Sequence, residues 1–257
     1  MRRARGAPVP DTRPAAFGPE AFDPEAFEPR DLDSGALDPG ALDSGTLDPG
    51  ADCPLCPRLG EYRQANRAAH ADWFNAPVPS FGSLDARLLV VGLAPGVRGA
   101  NRTGRPFTGD FAGMLLYRTL VHFGLAMGAY GADPGDGLRL VDCRVTNAVR
   151  CVPPANLPTP FEIGICNRFL TAEISAMKRL RGVLALGGTA HAAVLRACGM
   201  RPARTPFRHG EIHALPEGRL LADSYHVSRL NTNTGRLTEA MFHAVVEMLL
   251  GRIGPST

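Results

Sequence analysis

The sequence predicts an α/β fold of three layers, helices on either side of a central four-stranded parallel sheet. Three observations lead there. Four apolar runs of strand length recur, at residues 86–91, 138–149, 183–186 and 220–224. Segments of helical periodicity stand between them, the arrangement that buries a parallel sheet on both faces. The candidate polar groups Asp110, Asn147 and His226 all fall at or just past the carboxyl ends of these runs or in the loops that follow, where open α/β sheets present ligand groups.

Residues 21–50 repeat a five-residue unit (AFDPE, AFEPR, DLDSG, ALDPG, ALDSG, TLDPG) with one Phe or Leu apiece. So few apolar groups cannot offset the entropy of ordering, and residues 1–52 are expected to be a disordered acidic tail, with the folded domain at 53–257. Cys53-Pro-Leu-Cys56 opens that domain, followed by a helix-like run with Leu59, Tyr62, Asn66, Ala69 and Trp73 in register. The stretch 75–81 (NAPVPSF) reads as a loop into the first strand. Leu115, Leu116, Thr119, Leu120 and Phe123 mark a helix face that starts near Asp110 and that Gly124 is placed to end.

The second strand, residues 138–149, carries Thr146-Asn147 near its carboxyl end and runs into Arg150-Cys151. Thr159-Pro160-Phe161-Glu162 forms a capping box with Pro at the first helical position. It begins a helix with Ile165, Phe169, Ala172, Ala176 and Leu180 on one face. After the third strand come a glycine turn and a short helix, 190–198, closed by Gly199. The fourth strand delivers the segment Tyr225 to Asn231, and a last helix turns Met241, Val245, Met248 and Leu249 inward.

Of 28 basic and 25 acidic groups, the first 52 residues hold 5 and 11, so the remainder carries a surplus of nine positive charges. That surplus suits a polyanion; it equally fits a soluble surface in an arginine-biased chain, Lys178 being the single lysine. No apolar run is long enough to span a membrane, and the basic start lacks the apolar core of a secretory leader, so a cytoplasmic protein is expected.

Between residues 88 and 113 lies the densest functional signal, a strand-to-helix loop with six glycines, Arg98, Arg102, Arg105, Phe107 and Asp110. Glycine admits a ligand close to backbone, and Phe107 offers a flat apolar face beside a carboxylate. Nucleotide-binding loops share part of this pattern, but here the Gly-Lys-Ser/Thr ending and the tight dinucleotide spacing are absent. Asp110 also reads as a helix cap, Phe107 as an apolar anchor and Asn147 as a strand-end turn residue. His209 and His213 are four apart in a strand-like RHGEIHAL with no third ligand near in sequence, and are expected to be surface histidines.

Six cysteines in such a chain are not expected to form disulfides. Cys143 and Cys198 sit in apolar contexts and read as small buried thiols. Cys53, Cys56, Cys151 and Cys166 form two pairs without a matching histidine, a donor set for structural zinc or an iron–sulfur cluster. Spacing does not choose between them; frequency of occurrence favours zinc.

Residues 92–96 (GLAPG) with 99–110 (GANRTGRPFTGD), together with 226–235 (HVSRLNTNTG), resemble family 5 uracil-DNA glycosylases. The likeness runs from about Cys53 to Gly251. It implies a DNA repair hydrolase that flips uracil from DNA and breaks its N-glycosidic bond, with other deaminated bases such as hypoxanthine, and ethenocytosine, also accepted. The four cysteines resemble the ligands of a structural [4Fe–4S] cluster, which reverses the preference for zinc. The resemblance implies Asp110 and His226 as catalytic residues. Gly92, Ala94, Phe107 and Asn147 would bind substrate, and Arg229, Leu230 and Asn231 would bind DNA, Leu230 filling the gap left in the duplex.

Two departures stand out. Leu93-Ala94 occupy positions where other families carry an acidic or amide group, and Val227 stands where His-Pro-Ser is common. Double-stranded or single-stranded DNA bearing a damaged base is the expected partner, with no membrane, and the chain is expected to be monomeric. The rival readings are a non-catalytic iron–sulfur DNA-binding module and a nucleotide-binding α/β enzyme.

Overall fold

The computed structural model describes residues 47–255. The expected acidic tail lies outside the described residues as far as residue 46. Residues 47–52, assigned to the tail by composition, make defined contacts: Asp48 accepts from the Ser80 N–H at 3.3 Å and pairs with Arg150 at 2.6 Å, and Asp52 pairs with Arg67 at 2.5 Å.

The central sheet is built from β1 (Leu88–Gly92), β4 (Cys143–Asn147), β5 (Gly182–Leu186) and β7 (Leu220–Ser224), all parallel. A short fifth strand, β6 (Ile212–Ala214), pairs antiparallel with β7, giving the order β4-β1-β5-β7-β6. The four expected parallel strands are therefore present, and the strand-like segment around His213 adds an antiparallel edge.

Alternation along β1 divides the interior. Leu88 and Val90 face a core made with Leu116, Tyr117 and Leu120 of α3 (Phe111–His122) and Phe242, Val245 and Leu249 of α7 (Glu239–Ile253). Leu89 and Val91 face the other core, with Leu170 and Ile174 of α4 (Pro160–Ala176) and Ala190 and Val194 of α5 (Gly188–Ala197). Each such Leu or Val contributes about 1.5–3 kcal/mol by leaving water, which makes the two-faced burial decisive for a parallel sheet. A third apolar cluster, Leu59, Val149, Cys166 and Phe169, lies under α1 (Pro57–Ala69).

The helix starts follow their signals. Thr159 and Glu162 complete the capping box, Asp110 caps α3 by accepting from Ala112 at 3.1 Å, and Gly124 and Gly199 follow their helices at positive φ. Three expectations need correction. Residues 138–149 are not one strand, because Asp142 takes a φ of +50° and its carboxylate turns back to Arg87. Arg139–Leu140 (β3) instead pairs with Ala126–Met127 (β2) in a separate hairpin. The glycine-rich loop contains a helical turn, α2 (Ala100–Thr103), and Trp73 lies beyond α1, stacked on His70 at 3.8 Å.

Candidate active site

The chain leaves β1 to one side for β4 and returns to the other for β5, and the carboxyl ends at such a reversal are where open α/β sheets bind ligands. Gly92 ends β1 directly opposite Asn147 of β4. A Cβ at Gly92 would stand 2.5 Å from Asn147 Oδ1 and 2.8 Å from Phe107 Cε2, so only glycine lets that ring and that amide meet there. Asn147 is 3% exposed, and its Oδ1 is a buried acceptor without a hydrogen-bond partner. Such an atom is costly unless a ligand satisfies it.

Phe107 is held in place rather than loosely inserted. Its φ is +52°, a strained value for a bulky residue. Tyr130 donates to its carbonyl at 3.0 Å, Tyr117 donates to the Pro106 carbonyl at 2.6 Å, and a Cβ at Gly113 would overlap the same Phe107 carbonyl. Arg105, read from sequence as positive charge for a ligand, is buried. It makes two bonds to Asp136 at 2.8 and 2.7 Å and lies within 6 Å of the rings of Phe81, Tyr117 and Tyr130. It braces the loop from behind, while Arg98 and Arg102 remain exposed.

Asp110 uses Oδ1 as the α3 cap. Its Oδ2 points at two glycines, 3.0 Å from where a Cβ on Gly96 would stand and overlapping one on Gly99. Burial raises its pKa above the usual 3.8, partly offset by the backbone N–H groups of Gly113 and Ala112. His226, two residues past β7, sits with its ring centroid 6.2 Å from that of Phe107, tilted 31°. Although the residue is only half-buried by surface, lost solvation of the ring pushes its pKa down to about 4, so the imidazole is neutral at pH 7.

The segment after His226 is a one-turn helix, α6 (Arg229–Asn233), capped by Ser228. Leu230 is 71% exposed, the most exposed of the large apolar side chains among the described residues. Arg229 lies 5.3 Å over the Phe111 ring at the start of α3. Asn231, expected to bind DNA, donates its amide N–H to the His226 carbonyl at 2.8 Å and so holds the loop. Ala94, expected to bind substrate, packs its methyl on the Val149–Cys166–Phe169 cluster.

Cys53, Cys56, Cys151 and Cys166 gather around one small cavity with Leu59, Arg63, Val149 and Phe169. Burial, reinforced by the neighbouring sulfurs, pushes the Cys56 and Cys151 thiols up to about 12. Donors aim at the sulfurs: Arg63 Nη1 to Cys151 at 3.7 Å and the Arg150 N–H to Cys166 at 3.4 Å. Among the described residues only His191, His213 and Asp223 bring three ligand atoms within 4.8 Å of one another. Of the two remaining thiols, Cys143 is buried as expected and Cys198 is only half-buried.

Sequence reasoning missed the support for Phe107 (Arg105, Asp136, Tyr117 and Tyr130) because its members come from three elements with no shared spacing. It also placed His213 on the surface, whereas that side chain is buried against Asp223. A separate depression of about 850 Å³ lies at the opposite, amino ends of the strands, and none of Gly92, Phe107, Asp110, Asn147 and His226 lines it.

Residues 79–250 match the model of the uracil DNA glycosylase superfamily. The chain is 48% identical over 199 residues to a type-5 uracil-DNA glycosylase of Thermus thermophilus, covering 76% of this chain and 90% of that protein. It is 45% identical over 197 residues to a type-5 uracil-DNA glycosylase of Mycobacterium leprae, covering 74% and 86%. A type-4 uracil-DNA glycosylase of Thermotoga maritima is 39% identical over 110 residues, 42% of this chain and 49% of that protein.

Proposed function

This chain belongs to the uracil DNA glycosylase superfamily, and from that membership and the crevice we infer that it is a monofunctional DNA glycosylase that excises uracil. The observation that carries the reading is the pairing at Gly92 of a fixed aromatic face with an unsatisfied buried amide, Phe107 with Asn147. A planar base carrying an N–H and C=O edge completes both at once. Its test is direct. Purified protein releases free uracil from a uracil-containing oligonucleotide and leaves an alkali-labile abasic site, without cutting the strand itself. An intact sugar–base bond after prolonged incubation would overturn the assignment.

A stacked base is beyond reach, so the nucleotide must leave the duplex at a cost of about a few kcal/mol. Phe107 stacks on the everted base, worth about 1–3 kcal/mol. Asn147 Oδ1 accepts from the ring N–H. As the C–N bond breaks, negative charge gathers on the base and positive charge on the sugar. Neutral His226 donates its N–H toward the base oxygen, and the Asp110 carboxylate orients the attacking water and offsets the charge on the sugar. The water oxygen bonds to the anomeric carbon and its proton passes to Asp110; the free base takes up a proton on departure.

Hypoxanthine presents the same lactam N–H and C=O edge to Asn147, so the activity extends to it. A panel of uracil, hypoxanthine and ethenocytosine duplexes measures that range. The partner is DNA, duplex or single-stranded, and the enzyme acts as a monomer. No helix among the described residues is long and apolar enough to cross a membrane.

Arg229 and Leu230 are the DNA-facing residues of α6, Leu230 entering the space the base vacates. Leu230→Ala is expected to slow excision from duplex about tenfold, equivalent to about 1.4 kcal/mol, while single-strand excision stays at the wild-type rate. Equal rates on duplex for both proteins would remove Leu230 from base eversion.

Cys53, Cys56, Cys151 and Cys166, as thiolates, would hold a [4Fe–4S] cluster, which would tie the start of α1 to the β4–α4 connection and to α4. Purified protein is expected to be brown, with about four irons and four sulfides per chain. Cys166→Ser loses the colour and most of the iron. A colourless preparation with one zinc per chain would replace the cluster by a mononuclear site.

A further inference from the structure

Behind the crevice, three side chains from three different elements meet in the interior. Asp223, on β7 three residues before His226, is fully buried. Its Oδ1 accepts from His191 Nδ1 of α5 at 2.7 Å, and its Oδ2 accepts from His213 Nε2 of β6 at 2.9 Å and from the Arg208 N–H at 3.1 Å. His191 is 2% exposed, and its other nitrogen, Nε2, lies 2.7 Å from the Thr205 carbonyl oxygen. A carboxylate and a carbonyl can only accept, so both ring nitrogens of His191 carry hydrogen and the ring is an imidazolium.

The backbone repeats the attachment. The Gly210 N–H donates to the Asp223 carbonyl at 2.8 Å and the Asp223 N–H to Glu211 at 3.0 Å. The Tyr225 N–H donates to His209 Nδ1 at 3.1 Å, the two rings stack at 4.6 Å, and Arg236 lies 4.6 Å from the centre of the Tyr225 ring. The residue that follows is His226, whose carbonyl Asn231 holds from the far side. Nothing in the reaction as derived above uses Asp223, His191 or His213.

We propose that Asp223, clamped by His191 and His213, is a positioning residue for excision: it fixes the end of β7 and thereby the distance of His226 from the everted base. This rests on the glycosylase reading. A metal ion held by the same three residues would have to displace hydrogen bonds that are already complete, and that alternative is decided by the test.

Burial opposes the charge on His191, but its bonds to Asp223 and the Thr205 carbonyl outweigh this and raise its pKa above 6.5. The groups facing it are Asp223, the Thr205 carbonyl, the His213 ring at 5.2 Å, the Phe207 ring at 5.8 Å and, further out, Glu211. A raised histidine pKa means that the clamp is complete below about pH 6.5 and weakens as pH rises through the folded-state value.

The experiment has two arms on the full-length holoenzyme. In the first, ¹⁵N NMR of wild type, assigned by loss of the signal in His191→Gln, is expected to show both His191 ring nitrogens protonated at pH 7. A neutral tautomer there, or a stoichiometric shift of the His191 and His213 signals on adding Zn²⁺, overturns the clamp. In the second, Asp223→Asn is expected to lower single-turnover excision about 10- to 100-fold, the scale of a slight misplacement of a catalytic group. Affinity for abasic-site DNA stays within about twofold of wild type, and the alkaline decline of the wild-type rate is abolished. A wild-type rate and pH profile in this variant overturns the proposal. If Asp223→Asn does not fold, His213→Asn is read in its place by the same criteria. Failure of the wild-type protein to release uracil sinks the glycosylase reading alone, because the NMR arm requires no activity.

Discussion

Asp110→Ala is expected to lower single-turnover excision by about 10²–10⁴-fold, the usual range for a lost general base, while DNA affinity stays close to wild type. The geometry separates the two effects. One carboxylate oxygen caps α3 through Ala112, and the other faces Gly96 and Gly99, where a side chain would collide with it. Losing the cap alone costs about 0.5–2 kcal/mol of stability. Asp110→Asn, an equally good cap, retains that stability and still loses the rate.

The ionisation carries a sign as well. With its pKa raised by burial, Asp110 is the group whose protonation shuts the reaction down as pH falls. A rate–pH profile of wild type is therefore expected to fall on the acid side at a value above 3.8, and the limb to vanish in Asp110→Asn. Near-normal turnover in Asp110→Ala would strike this residue from the mechanism.

His226→Ala is expected to cost about 10²–10³-fold in the same assay, comparable to the loss of one preorganised donor to a developing oxyanion. Because burial holds the His226 pKa at about 4, the ring donates as a neutral imidazole throughout the neutral range. The wild-type acid limb should thus persist in His226→Gln, where an amide N–H can replace the imidazole N–H. Loss of that limb in His226→Gln, with its retention in Asp110→Asn, would exchange the two assignments. His226→Gln should also recover part of the rate lost in His226→Ala, since a donor at that place is what the step requires.

Much of this was legible before any coordinates. The four parallel strands, the capping box at Thr159, the cap at Asp110 and the glycines past α3 and α5 follow from signals within a few residues of one another. The crevice was legible too, because Gly92, Asn147 and His226 come at or just past strand ends, and parallel strands put those ends on one rim. The break at Asp142 was not, since that carboxylate is recruited by Arg87, 55 residues away. Nor was the burial of Arg105, whose charge reads as ligand-facing until Asp136 is placed beside it.

Sequence by itself determined the layering, the helix ends, the cysteine set and the two motifs that mark the family, because hydrophobic alternation, capping and motif spacing are local properties of the chain. Tertiary structure alone decided the polar interior: Arg144 and Arg150 sharing Glu173, Arg105 with Asp136, and His191 and His213 on Asp223. A buried charge needs a partner wherever one can be brought, and the strand order β4-β1-β5-β7-β6, rather than any spacing along the chain, determines which residues stand within hydrogen-bond reach.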